Sequence, residues 1–133
     1  MTTRRHNPKS GCGVEATLSV IGGLWKPLII LHLMGGTLRF MELSRRIPNA
    51  TQRMLTLQLR ELEQDGVLLR HVHPQVPPKV EYELTEFGRS LLPVLKTLWE
   101  WGRGYLQGRG IEPNPLPIAN AKTGNARAEK AAA

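Results

Sequence analysis

The 133-residue sequence has a single cysteine, Cys12, so it cannot close an intrachain disulfide. That excludes a small disulfide-stapled scaffold and suits a reducing, cytoplasmic setting. Aromatic residues make up only 5% of the chain, and no segment clusters them as a base-stacking RNA-binding strand requires. No apolar run is long enough to span a bilayer; the most apolar stretch, Leu28 to Met34, is short and contains His32. Met1 leads into the polar TTRRHNPKS rather than the apolar core of a signal peptide, and no membrane partner is expected. Carboxylates are scarce, with 11 Asp and Glu against 18 Lys and Arg. The resulting charge of +7 favours a polyanionic partner without identifying one. The four histidines are scattered, and no carboxylate pair, phosphate loop or metal-ligand cluster stands out. A lone thiol without an identifiable base does not make a nucleophilic centre, so no enzyme and no cofactor are expected. His71 and His73 share a strand face but lack a third ligand nearby, which argues against a metal site.

What is present supports one compact domain. The 41% hydrophobic content supplies a core. Residues 1–11 read as a loose basic arm, 12–107 as the folded domain and 108–133 as a flexible tail rich in Gly, Pro, Ala and Asn. The tail carries four basic and two acidic side chains, so most of the positive charge lies elsewhere. Helices are expected over Val14 to Ile21, Leu24 to Met34 and Phe40 to Ile47, with a very short strand at Thr37 to Arg39. Thr51 is placed to cap a fourth helix, whose buried stripe is Leu55, Leu59 and Leu62 and whose end is Asp65-Gly66. The alternation of Val80, Tyr82 and Leu84 with Glu81 and Glu83 marks one strand of a hairpin over 67–85, with the proline-rich HPQVPPK at its tip. A last helix is expected from about Glu86 to Leu106, bent in its early turns by Pro93. Its apolar residues cover more than one face. A second buried face, most simply a dimer contact through Leu91, Leu95, Leu98, Trp99, Trp101 and Tyr105, competes with the alternative that the helix caps a thick core.

The fold class is therefore mainly α with a small β-hairpin, in the order of a winged helix-turn-helix. On a helical projection with Leu55 inward, Arg53, Leu57 and Arg60 point outward, with Gln52 and Thr56 at the edge. The N-terminal half of a reading helix enters the major groove of double-stranded DNA, so Gln52, Arg53 and Thr56 are the candidate base contacts. Arg60 is better placed for phosphate, and Thr51 stands at the helix entry. Leu57 either touches a thymine methyl or packs on a neighbouring element. Arg45 and Arg46 at the end of the third helix, and Arg70, His71, His73 and Lys79 on the hairpin, are candidate backbone contacts or ordinary solvated side chains. The competing function is a protein-interaction module that uses this fold without specific DNA binding.

Several motifs, in order, are similar to the HxlR-type winged helix-turn-helix regulators. They are Cys12-Gly13-Val14-Glu15, Ile21-Gly22-Gly23-Leu24-Trp25-Lys26, Arg39-Phe40-Met41-Glu42-Leu43, Met54-Leu55-Thr56, Leu59-Arg60-Glu61-Leu62-Glu63, Asp65-Gly66 and Val76-Pro77-Pro78-Lys79-Val80-Glu81-Tyr82. The resemblance runs from about Cys12 to Gly102. It implies a bacterial transcription factor that forms a homodimer through its first and last helices and binds a pseudo-palindromic operator, with the Thr51 to Gln64 helix reading DNA and the hairpin as wing. It also implies, as in several members, a response to a reactive electrophile or oxidant through the cysteine matching Cys12. The start of a helix favours a thiolate, whereas a cysteine packed in an N-terminal interface would have no signalling role. Three departures stand out: Gly13 where proline is common, Pro27 early in the second helix, and Leu57 where a polar residue is frequent.

Overall fold

The computed structural model describes residues 11–117. The basic arm up to Ser10 and the tail beyond Pro117 lie outside the described residues. The element order is α1 (Gly13–Ile21), α2 (Trp25–Leu33), β1 (Leu38–Arg39), α3 (Phe40–Arg46), α4 (Gln52–Gln64), β2 (Leu68–His73), β3 (Lys79–Leu84), α5 (Glu86–Arg89) and α6 (Leu92–Gly108). The strands form one antiparallel sheet in the order β1-β3-β2. This is the expected winged helix-turn-helix, a helical layer with a small hairpin sheet behind its fourth helix. No single described helix is long and apolar enough to cross a membrane; α1 and α2, apolar together, are bent by 75° at the break between them.

One core joins these elements. Ile29, Ile30 and Leu33 from α2 meet Leu43 from α3 and the α4 stripe Leu55, Leu59 and Leu62. Val67, Leu68, Tyr82 and Leu84 close it from the sheet, and Leu95 closes it from α6. At its margin lies one buried charged side chain, Lys26 in the first turn of α2. Its Nζ donates to Glu61 Oε1 at 2.7 Å, tying α2 to the outer half of α4. A cation in a helix's first turn opposes the helix dipole, so the Glu61 carboxylate has to compensate both that and the desolvation.

Both ends of α4 are closed by local hydrogen bonds. Thr51 Oγ1 accepts from Met54 N at 3.0 Å. At the other end Gly66 takes φ +77°, a left-handed conformation that costs a glycine nothing. Gly66 N then donates to Glu63 O and Val67 N to Leu62 O, which satisfies two terminal carbonyls and turns the chain into β2.

The last helix differs from expectation. The expected single helix bent at Pro93 is two helices, α5 and α6, separated at Ser90 and Leu91. Pro93 sits in the first turn of α6, where its missing N–H is no loss, so it starts a helix instead of kinking one. The short α5 is pinned in turn. Thr85 Oγ1 accepts from Gly88 N and lies within hydrogen-bonding distance of the Gly66 and Val67 carbonyls. Gly88 is so close to the sheet that a Cβ there would fall 2.2 Å from Val67 O. The start of the tail also differs. Residues beyond Gly108 are not all loose, since Leu116 packs against the core.

Replacing Lys26 by Ala strands Glu61 without its partner and is expected to destabilise the domain by about 3 kcal/mol. Replacing both, as Lys26→Met with Glu61→Leu, is expected to recover most of that loss. Urea unfolding of the two variants against the parent measures the difference; equal losses would mean that the pair carries no such coupling.

Candidate nucleic-acid interface

Helix α4 exposes a continuous outward face. Thr51, Gln52, Arg53, Met54, Thr56, Leu57 and Arg60 line one open surface groove of about 750 Å³. Leu57 is about half exposed and lies in this groove. Gln52 sits close to the preceding helix, with Nε2 at 4.0 Å from Met41 Sδ.

The hairpin splits its charged residues between two faces. Residues opposed in register share a face, so Leu68, Arg70 and Val72 lie on the Tyr82 side, toward α4. Arg70 shares a cleft of about 290 Å³ with Thr56, Arg60, Glu63 and Tyr82. Arg53, Arg60 and Arg70 therefore run from the helix entry to the wing base, and none of them makes an ion pair among the described residues.

Leu69, His71, His73 and Lys79 lie on the other face with Glu81 and Glu83. There His71 Nε2 meets Glu83 Oε1 at 2.9 Å and His73 Nε2 meets Glu81 Oε1 at 2.8 Å, each pair diagonal across the strands. Lys79 Nζ lies 3.6 Å from Glu81 Oε2. The hydrogen bond from His73 is the main cause that holds the Glu81 carboxyl below the usual carboxylate range; burial opposes it, and the Lys79 charge adds a smaller lowering effect. The basic groups expected on the wing are thus of two kinds: Arg70 faces α4 without an ion pair among the described residues, while His71, His73 and Lys79 each meet a carboxylate on the far side. Strand alternation in the sequence carries this distinction, since Arg70 and Lys79 differ in parity relative to Tyr82. Among the described residues no group of three or more ligands suits a metal ion.

Arg45 and Arg46 are both exposed at the end of α3. Arg46 turns toward α2, where its charge reinforces what burial does first to His32, lowering the imidazole below its usual value. His32 Nδ1 is buried without a hydrogen-bond partner among the described residues.

The apolar stripe expected on the last helix divides. Leu95 belongs to the chain's own core at 1% exposure, and Leu91 packs against that core, so Leu95 is not available to a partner. Leu98, Trp101 and Tyr105 are more than half exposed, and Val94, at the same spacing, joins them. Trp101 and Tyr105 stack with ring centroids 5.7 Å apart, and the Arg109 guanidinium lies over Tyr105. Trp99 turns aside beneath Arg103. On α1, Val14 and Leu18 are also mostly exposed. Cys12 is exposed at the N-cap of α1, its carbonyl accepting from Ala16 N at 2.9 Å.

A family model described as HxlR-like helix-turn-helix matches residues 20–109. The chain belongs to that family. It is 59% identical over 95 residues to YdeP of Bacillus subtilis (strain 168), named as an uncharacterized HTH-type transcriptional regulator. That match covers 71% of this chain and 74% of YdeP. Among solved structures, the oxidized form of the redox regulator HypR is 58% identical with a TM-score of 0.67, covering 70% of this chain and 96% of that one. The reduced form of the transcriptional regulator YodB from B. subtilis is 41% identical with a TM-score of 0.62, covering 69% and 91%. Membership in the HxlR-like family makes the chain a helix-turn-helix transcriptional regulator and not an enzyme.

Because the folded state keeps His32 neutral, the unfolded chain binds the proton first as pH falls through the ordinary imidazole value near 6.5. Stability contributed by neutral His32 is therefore present above that value and lost below it. His32→Leu is expected to flatten the fall in melting temperature between neutral and mildly acidic pH. A parent and a variant with parallel pH profiles would place the acid sensitivity elsewhere.

Proposed function

We propose that two copies of this HxlR-like chain bind a pseudo-palindromic operator, each placing α4 in the major groove and the hairpin alongside as a wing. The observation that carries this reading is the unpaired row Arg53, Arg60 and Arg70 along the outward face of α4 and the wing base. Guanidinium groups without a carboxylate partner keep their full charge and donors for an anionic ligand. Gln52, Arg53 and Thr56 read base edges, and Leu57 in the same groove suits a thymine methyl. Thr51, Arg45, Arg60 and Arg70 position the protein on phosphate. Lys79 reaches the backbone only by giving up Glu81, so its share is smaller. The exposed stripe Leu98, Trp101 and Tyr105, with Val94 and the α1 residues Val14 and Leu18, is the surface that pairs the two copies.

Footprinting on genomic DNA tests this directly. Two protected half-sites about 34 Å apart are expected. Arg53→Ala is expected to cost about 1–3 kcal/mol and relax sequence preference, whereas Arg70→Ala weakens all sequences alike and lowers the salt dependence. If both variants bind DNA as the parent does, the protein-interaction reading of the fold takes over; one half-site alone would remove the dimer.

Control through Cys12 is the second part of the proposal. The similar HypR and YodB structures, one named a redox regulator in its oxidized form and one solved reduced, favour it, as does the exposure of the thiol beside the apolar α1 face. Without a second cysteine in the chain, oxidation joins two subunits or captures a small thiol, and an electrophile adds to the sulfur directly. Diamide or a quinone is expected to change operator affinity of the parent and to leave Cys12→Ser unchanged. A serine variant that responds like the parent ends this part of the reading and leaves DNA binding intact.

A further inference from the structure

Beyond the outward groove, α4 meets the base of the wing. Thr56, Leu59, Arg60 and Glu63 are spaced i, i+3, i+4 and i+7, which puts them along one side of the helix. With Arg70 and Tyr82 of the hairpin they line a cleft of about 290 Å³. Leu59 and Tyr82 are buried and form its floor, whereas Arg60, Glu63 and Arg70 are exposed at its rim. Arg60 and Glu63 are helix neighbours of opposite charge, and Arg70 opens into the same cleft from across the gap. Yet none of the three makes an ion pair among the described residues. Both guanidiniums therefore keep their donors for a ligand, and a carboxylate stands beside them that is locked to neither.

We propose that this cleft takes a single phosphodiester of the DNA backbone, gripped by Arg60 from the helix and by Arg70 from the wing, and that Glu63 selects it. This rests on the DNA-binding reading and adds to it a shared ligand and a specificity-determining residue. Two guanidiniums that open into one small cleft converge on one anion, and each offers it a fork of N–H donors. The Thr56 hydroxyl lies on the same side of the helix as a further donor. Charge then sets which anion enters. Two guanidiniums and one carboxylate leave the cleft with one net positive charge. A phosphodiester carries one negative charge and matches it. A phosphomonoester carries about 1.5 to 2 negative charges at neutral pH, and the Glu63 carboxylate repels the surplus. Because one phosphate is shared, helix and wing dock on the backbone as a unit rather than independently.

The test is binding of an end-labelled duplex of mixed sequence to the full chain, read by fluorescence anisotropy over a series of KCl concentrations. Each phosphate that the protein neutralises contributes about 0.9 to the slope of log affinity against log salt. Arg60→Ala and Arg70→Ala should each lower the slope by no more than one phosphate's worth, and the double variant should lower it by about 0.9 in total. A loss of about twice that in the double variant, or none, overturns the shared grip. All three rim positions are exposed, so these changes leave the fold intact. Exchanging chloride for inorganic phosphate at fixed ionic strength should leave the parent's duplex affinity unchanged and lower that of Glu63→Gln roughly fivefold. A parent and a Glu63→Gln variant that respond alike overturn the selection by Glu63. A parent that binds no duplex even at low salt ends the DNA-binding reading itself, and the shared grip with it.

Discussion

The ion pair between Lys26 and Glu61 ties α4 to α2 and helps to orient its outward face. Among the described residues Glu61 is the one residue of α4 joined by charge to α2, with Lys26 buried and Glu61 mostly so. With Glu61 held against α2, the 3.6-residue period sends Leu55, Leu59 and Leu62 into the core and Arg53, Leu57 and Arg60 away from it. An apolar stripe alone tolerates small rolls of a helix, because hydrophobic burial has no direction. A short charged contact does not, because its strength depends on geometry and its loss leaves a buried charge. The outward display of Arg53 and Arg60 is thus supported from the flank of the helix.

Charge on this molecule is organised by whether it is paired, more than by where it is dense. The side of the hairpin facing α4 keeps Arg70 without a carboxylate, while the far side sets His71, His73 and Lys79 against Glu81 and Glu83. A count of basic residues treats these two faces alike. Their fields differ, since the far face carries the Glu81 and Glu83 carboxylates and the α4 side of the hairpin carries none. The anion-attracting surface is therefore one-sided, and it coincides with the groove along α4.

Much of this was legible in the sequence where the determinants are local. The Thr51 cap, the Leu55, Leu59 and Leu62 stripe and the Asp65-Gly66 stop specify α4 with both its ends, and the alternation around Tyr82 specifies β3. Motifs spread over most of the domain pointed to the family that the comparisons show. What escaped depends on contacts between distant segments. Lys26 looks like a surface lysine until α4 is laid beside it. Pro93 reads as a kink when the pattern is taken as one helix, and as a helix start once Ser90 and Leu91 are seen to break it. The apolar residues of α6 divide between the core and an open stripe only when α2 takes up Leu95. Leu116 was hidden by a composition typical of loose tails, since its contact with the core is made only in the fold.

The close approach of Gly88 to the carbonyl of Val67 has a mechanical side. Val67 is the residue from which β2 springs, and Thr85, across from it at the end of β3, binds the Gly66 and Val67 carbonyls. The root of the hairpin and α5 are consequently one rigid block, with no side chain between them to act as a cushion. In the proposed dimer, a tilt of α6 relative to this block would be taken up at Ser90 and Leu91, the break between α5 and α6. The spacing of two reading helices on DNA would then be altered by tilting whole heads about those two residues, each head keeping its own wing in place.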